Sequence, residues 1–305
     1  MSLDRVQPTV SVVLPVYNAG AALPYAVASI LRQTLMDWEL IVIDDGSTDG
    51  CVATVNPRAD RIRMIRDGRN LGLAARLNQG IDLARGKYLA RMDSDDIAYP
   101  ERLETQVAFL KTHPDIDLVA SRMLLFRDDG QVIGLSPFRG THAEICAMPW
   151  RGFFLAHPTW MGKTEWFRCH RYHLPQFERA EDQELLLRTY RSSRFACLPQ
   201  VLLGYRKSGL SLEKILTARR SLARAQWSVN LHQGHLGQAV LGFSVCVAKA
   251  VMDIAISAVG GEHLFVARMA RSAPAEAVER WMKVWSESQS LTGALVAEDG
   301  ARDGM

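Results

Sequence analysis

The sequence predicts an α/β protein: a mostly parallel sheet flanked by helices, followed by a helical C-terminal extension. Three observations carry that prediction. Short apolar, β-branched runs alternate with segments of helical periodicity four times within about the first hundred residues. The runs are continuous rather than alternating, as in strands buried on both faces by right-handed βαβ crossovers. Past Ser208 the pattern becomes almost wholly helical.

In order, Thr9–Val16 reads as the first buried strand, broken by Tyr17-Asn18-Ala19-Gly20. Leu23, Val27, Ile30 and Leu31 give Ala21–Gln33 a helical period. Trp38–Ile43 is the second strand, closed by Asp44-Asp45-Gly46-Ser47, and Ile62–Ile65 is the third. A helix over Leu73–Ala84, a strand over Lys87–Met92 and a helix over Pro100–Thr112 complete the alternation. Leu118–Phe126 reads as a fifth strand, turned by Asp128-Asp129-Gly130 into Gln131–Leu135 as a hairpin. Arg151–Gly162 is expected to be a strand with an aromatic loop, Asp182 to start a helix, and Ser193–Arg206 to be a further strand. Leu212–Gly260 is expected to be helical, broken at Gly234 and Gly237, and Pro274–Ser288 to be an amphipathic helix with proline in its first turn. Domain boundaries follow: 1–210, a helical region 211–292, and a disordered tail 293–305.

Composition bounds the function. At 305 residues the chain can bury a full core, and a net charge of +3 is too mild for a nucleic-acid partner. Five scattered cysteines without Cys-x-x-Cys spacing favour free thiols in a reducing compartment over a disulfide framework. The first eight residues lack an apolar core, so no signal peptide is read. Lys249 and Asp253 interrupt the longest apolar stretch, Ala239–Gly260, which is therefore not read as transmembrane. A cytoplasmic location is the expectation.

In parallel sheets ligands bind outside the carboxyl ends of the strands. Three such ends are polar here: Pro15-Val16-Tyr17-Asn18, Asp44-Asp45-Gly46-Ser47 and Asp93-Ser94-Asp95-Asp96. Close-set carboxylates stay ionised with a cation among them, and oxygen-only ligands suit Mg2+ or Mn2+. A solvated acidic turn is the bland reading, and Asp115-Ile116-Asp117 is a second Asp-x-Asp that looks like one. The first turn, Tyr17–Ala22, has one glycine, so it is no dinucleotide cradle, and no Walker-type loop exists. A metal is then the means of holding phosphates. Glu181 and Asp182 read from the residues alone as first-turn carboxylates favoured by the helix dipole.

The motifs Ser11–Asn18, Leu40–Asp49, Asn70–Asn78, Ala90–Asp96, His157-Pro158-Thr159 and Glu181-Asp182, in this order, resemble the inverting family 2 glycosyltransferases with a GT-A fold, over about Pro8–Arg206. The resemblance implies transfer of a sugar from a nucleoside diphosphate donor, UDP by expectation, to a hydroxyl acceptor in bacterial cell-surface polysaccharide or glycolipid synthesis. It implies that Pro15, Tyr17 and Asp44 line the nucleoside pocket, with Asp44 accepting from the base, Asp45 beside it and Gly72 among the donor contacts. It implies that Asp93 faces ribose and metal, that Asp95 holds the metal, and that Asp182 is the catalytic base, displacing the helix-cap reading. His157 either binds ligand or packs. One departure stands out: many members carry histidine where this chain has Ser208, in Tyr205-Arg206-Lys207-Ser208. The metal then relies on Asp95, diphosphate and water, with Lys207 as the other source of positive charge. Implied partners are a nucleotide-sugar and a glycan or lipid-linked acceptor. Ala239–Gly260 with Trp281 and Trp285 offers peripheral contact with the inner face of the membrane, and packing or homodimerisation is the alternative. A silent sugar-nucleotide or glycan-binding protein is the rival from another class. A sugar-phosphate nucleotidyltransferase is the rival enzyme, disfavoured because Tyr17–Ala22 holds no lysine or arginine.

Overall fold

Strands β1 (Val10–Val16), β2 (Trp38–Asp44) and β4 (Tyr88–Arg91) are buried residue by residue, which is why their sequences run apolar without alternation. The computed structural model describes residues 7–55, 61–175, 177, 179–207, 209, 211–259 and 270–300, the last eight by backbone alone. One nine-stranded sheet runs β3-β2-β1-β4-β8-β6-β9-β5, with β7 on β6. Here β3 is Ile62–Arg66, β5 Ile97–Ala98, β6 Leu118–Phe126, β7 Val132–Leu135, β8 Met161–Lys163 and β9 Phe195–Arg206. Pairing is parallel from β3 through β4 and between β6 and β9, and antiparallel where β8 joins β4 to β6.

Alternate residues of β1 feed two cores. Val10, Val12, Leu14 and Val16 pack under α1 (Leu23–Leu31) and α3 (Arg102–Thr112). Val13 packs on the other face with α2 (Leu73–Leu83), α5 (Thr164–Cys169) and α6 (Glu181–Thr189). Each fully buried aliphatic side chain contributes about 1.5–3 kcal/mol. Gly80 lets α2 descend onto β1: a Cβ there would lie 2.3 Å from Val13 Cγ1.

Several expectations are corrected. Of Arg151–Gly162, only the end is strand: Pro149–Arg151 and His157–Thr159 are 3-10 turns, because prolines at their starts deny the ladder an N–H donor. The short helix α4 (His142–Ile145), with a Thr141–Glu144 capping box, was not anticipated. Helix α7 (Leu212–His232) and helix α8 (Leu236–Ala258) are separated at Gln233–His235, where Gly234 has φ +76°; Gly237 lies inside α8. Helix α9 runs Ala275–Gly300, well beyond Ser288 and into the segment expected to be disordered, of which 301–305 lie outside the described residues.

Trp281 and Trp285 do not face outward. They sit in a third core with Tyr99, Leu124 and Phe126 against the β5–β9 edge of the sheet. Trp281 is fully buried, its Nε1 donates to the Gly130 carbonyl at 2.8 Å, and it covers Gly204 so closely that a Cβ would meet its ring at 2.2 Å. Ion pairs Arg32–Glu287 and Arg280–Glu101 bind α9 to α1 and to the start of α3. These two tryptophans are therefore core residues, not membrane anchors. Asp117 of the second Asp-x-Asp accepts from Lys163 Nζ and the Arg194 amide, as a structural turn does.

Candidate active site

The carboxyl ends of β1, β2 and β4 open into one cavity of about 870 Å³. Pro15 and Tyr17 supply its wall from β1, Asp45 from β2, Gly72 and Arg76 from α2, and Arg91 and Asp93 from β4. Its far wall is His157, Glu181 and Asp182. Asp44 is not in the lining: it is buried behind Asp45, its Oδ1 accepting from the Ser47 amide at 2.9 Å and its Oδ2 lying 3.6 Å from Arg66 Nε. The structure thus brings Pro15, Tyr17, Asp45, Gly72, Asp93 and Asp182 together and leaves Asp44 out. Asp95 lines an adjoining cavity of about 630 Å³ that shares Tyr17, Asp93 and Ser94 with the first.

Asp45 also builds its own wall. Its Oδ1 accepts from the Leu71 amide (2.7 Å) and Arg76 Nε (2.8 Å), and its Oδ2 from the Gly72 amide (3.0 Å). Arg76 is wholly buried and is held from the other side by Asp67 at 2.7 Å, an arrangement that keeps both charges paired. Gly72 takes φ +84° to turn its N–H onto Asp45 before α2 begins.

The strand-end cluster is crowded with negative charge. Donor atoms of Asp93, Asp95 and Asp96 lie within 4.8 Å of one another. Burial, then the Asp93 charge, pushes Asp95 up to about 6. Burial and both neighbours push Asp96 well above the usual carboxylate range, and its Oδ2 is buried without a hydrogen-bond partner. Three carboxylates this close, two of them raised by burial, are a donor set that fits a hard divalent cation. Arg206 steadies the loop beneath: its Nε donates to the Asp95 carbonyl (2.9 Å) and its amide to Asp96 Oδ1 (3.0 Å). The guanidinium is 4.8 Å over Phe126 and 5.8 Å over Trp285, so α9 helps hold the acidic loop. Ser208, the position of the departed histidine, lies outside the described residues.

The opposite wall has a second cluster. His157, Glu181 and Asp182 present ligand atoms within 4.8 Å of one another. His157 Nε2 pairs with Tyr172 Oη at 2.7 Å, and its Nδ1 is 3.7 Å from Glu181. Burial, then Arg91, holds His157 well below its ordinary pKa, so the ring is neutral. Asn78 and Tyr172 exchange two hydrogen bonds that tie α2 to this wall. Asp182 Oδ2 accepts from Gln183 Nε2 at 3.0 Å, and Gln183 in turn accepts from the Phe153 amide. Burial raises both carboxylates, and the Asp182 charge helps push Glu181 up to about 7.

Arg91 stands between the two clusters. It is buried, its Nη2 lies 2.5 Å from Asp93 Oδ1, and its Nε and Nη1 have no hydrogen-bond partner among the described residues. Burial works against its charge, but Asp93, Tyr172, Glu181 and Asp96 outweigh it. Arg102 fixes this junction by donating to the Arg91 carbonyl (2.6 Å) and the Pro158 carbonyl (3.0 Å). Sequence reasoning missed Arg91, Glu181 and Arg206 as site residues. A cationic residue ending an apolar strand two positions before Asp93 was the available signal for Arg91.

Comparison with known proteins adds the following. The model of the family described as Glycosyl transferase family 2 matches residues 11–171. The chain is 43% identical over 127 residues to the putative glycosyltransferase EpsE of Bacillus subtilis, covering 40% of this chain and 46% of that protein. It is 30% identical over 207 residues to an uncharacterized glycosyltransferase of Methanocaldococcus jannaschii, covering 66% and 71%. The chain therefore spans about half of the first relative's length and most of the second's. Among solved structures, S. aureus TarS 1-349 in complex with UDP aligns with TM-score 0.55 at 18% identity, over 76% of this chain and 70% of that one. The mannosyltransferase PcManGT of Pyrobaculum calidifontis, in complex with GDP-Man and Mn2+, aligns with TM-score 0.56 at 15% identity, over 99% and 89%. At these identities the structural likeness speaks for the fold.

Proposed function

Since this chain belongs to glycosyl transferase family 2 and is a glycosyltransferase of GT-A fold, we propose that it moves a sugar from a nucleoside diphosphate donor to a hydroxyl acceptor by inverting, metal-assisted displacement. The observation that carries this reading is one cavity with Asp93, a member of the acidic cluster, at one wall and Asp182 at the other. The division of labour matches a single displacement, which needs one base and one stabiliser of the leaving group, and no covalent nucleophile.

Each residue then has a task. Tyr17, Pro15 and Asp45 face the nucleoside, Asp45 taking the place expected of Asp44 because it is the carboxylate on the cavity wall. Asp93 and Asp95 would hold Mg2+ or Mn2+, which when bound neutralises charge developing on the diphosphate. The donors bound by fold neighbours, UDP-GlcNAc in one and GDP-Man in another, support the nucleoside diphosphate class, with UDP the expectation for this chain. Asp182 takes the proton of the acceptor hydroxyl as that oxygen bonds to the anomeric carbon. The carbon–oxygen bond to the diphosphate breaks, and the nucleoside diphosphate leaves with the bonding pair. Gln183 aims Asp182, and neutral His157, locked by Tyr172, shapes the acceptor side. Arg91 sets one buried positive charge between the two acidic walls. We place the acceptor among glycans or lipid-linked glycans of cell-surface synthesis. The unit that carries the chemistry would be residues through Arg206 together with α9, with the α7–α8 hairpin appended, which revises the expected boundary at 210.

A thermal-shift panel of nucleotide sugars with and without manganese tests this, followed by nucleoside diphosphate release for each binder. A metal-dependent shift by one donor class, with slow hydrolysis or transfer, is the expected result. Binding of sugar phosphate plus nucleoside triphosphate in place of any nucleotide sugar would overturn it.

A further inference from the structure

We propose that the outer face of the α7–α8 hairpin docks this protein on an anionic lipid surface, lying on it without crossing it. The reaction proposed above does not enter the argument. Helix α8 has a mean hydropathy of 2.0 over its most apolar window, yet only 28% of that window is buried. Leu236, Val240, Phe243, Val247, Val251 and Ile254 are all exposed along it. Both charged side chains of the helix turn the other way. Asp253 is buried and accepts from Arg219 Nε at 2.9 Å, and Lys249 Nζ donates to the Arg151 carbonyl at 2.9 Å. A helix about 34 Å long at 1.5 Å per residue thus presents an uncharged apolar face to its surroundings. A monomer in water does not keep so continuous an apolar row uncovered without a use for it.

Charge selects the occupant. The outward stripe of α7 carries Arg220 and Arg224 in the open, then Trp227, whose ring meets Phe243 of α8 at 5.8 Å. Residues 211–259 hold five Lys and Arg against two Asp and Glu, a net of +3, which equals the formal net charge of the whole chain. The remainder of the sequence is balanced, and the exposed Arg220 and Arg224 lie on the helix packed beside α8. A second copy would bring a like excess of positive charge. A sheet of anionic headgroups accepts the apolar row and the basic edge together, with Trp227 at the level where aromatic rings favour the interface.

Lying, not spanning, follows from the inner side of the same helix. Gln226 packs against Gly242, where a Cβ would lie 2.5 Å from its Oε1, and its Nε2 donates to the Pro149 carbonyl at 2.7 Å. With the Asp253–Arg219 pair, this polar seam holds one side of α8 against the rest of the protein.

Vesicle flotation of the full chain decides the matter, using phosphatidylcholine alone and phosphatidylcholine with phosphatidylglycerol. Binding should require the anionic lipid. Arg220→Ala with Arg224→Ala should weaken it about 30-fold, from about 1 kcal/mol per basic residue near the surface. Val247→Glu with Val251→Glu should weaken it at least about tenfold, with an unchanged thermal midpoint because both side chains are exposed. Three results each overturn the proposal: no binding to either vesicle, a dimer by light scattering that the Val247/Val251 variant dissolves, or bound protein that resists an alkaline carbonate wash.

Discussion

Asp182→Asn separates binding from chemistry at this site. The substitution removes the base but keeps an oxygen able to accept from Gln183 Nε2, so the Gln183 contact with Phe153 and the wall it braces stay in place. Loss of one general base lowers turnover by about 10²–10⁴-fold. Donor affinity should hold, because the contacts proposed for nucleoside and diphosphate lie on the opposite wall. The neighbouring carboxylate provides an internal control. Ligand atoms of Glu181 and Asp182 are no more than 4.8 Å apart. Two unit charges at that distance repel by about 0.9 kcal/mol in water and about 3.5 kcal/mol at an effective dielectric of 20. Removing the Asp182 charge should therefore bring Glu181 down from about 7 by roughly 0.6–2.5 units. In the unmodified protein the sign is the reverse: Arg91, Asp93, neutral His157, Tyr172 and Gln183 surround the pair, and burial raises both carboxylates. The base is thus protonated at a higher pH than an ordinary carboxylate, and activity is present above the ionisations of the pair and lost as pH falls through them. Nucleoside diphosphate release, donor calorimetry and carboxyl carbon NMR read the three quantities. Turnover within tenfold of the parent, or full loss on Glu181→Gln with Asp182→Asn still active, would refute the assignment of the base.

Chelation with EDTA should abolish transfer and manganese or magnesium should restore it, except in Asp95→Ala; transfer indifferent to EDTA sinks the metal reading. Asp45→Ala leaves Arg76 buried with one carboxylate partner fewer and frees the Leu71 and Gly72 amides, so chemical denaturation should show a loss of about 3–5 kcal/mol. Trp281→Ala opens the third core under the β5–β9 edge and should cost about 3–5 kcal/mol of stability by the same measurement.

The alternating strands and helices were legible because burial on both faces leaves no polar period in β1, β2 and β4, and the strand-end rule then located the cavity. Asp93 and Asp182 could be read as candidates for one rim, but that Asp45 lines the cavity and Asp44 does not could not. Adjacent residues of a strand point to opposite sides, and which side faces the cavity depends on how β2 lies beside β1 and β3. Arg91 escaped notice because a lone arginine in an apolar run looks like a strand edge until the Glu181 wall, some ninety residues later, is folded against it. The tryptophans of α9 read as interfacial because an amphipathic period shows that one face is apolar, not what covers it. Here the cover is Phe126, Tyr99 and the backbone of Gly204.

The dependence of the acidic loop on Trp285 has a consequence for the order in which the enzyme comes to exist. A chain emerging amino end first completes its parallel strands, its cavity and Asp182 well before residue 285 is made. Arg206 then lacks one of its two aromatic partners, and Phe126 and Tyr99 lack the ring of Trp281 against them. Full bracing of the acidic loop thereby waits until α9 arrives and stacks Trp285 on Tyr25. A chain cut short between Arg206 and Trp285 would carry both acidic walls and lack that brace, and its uncovered apolar edge would expose it to removal.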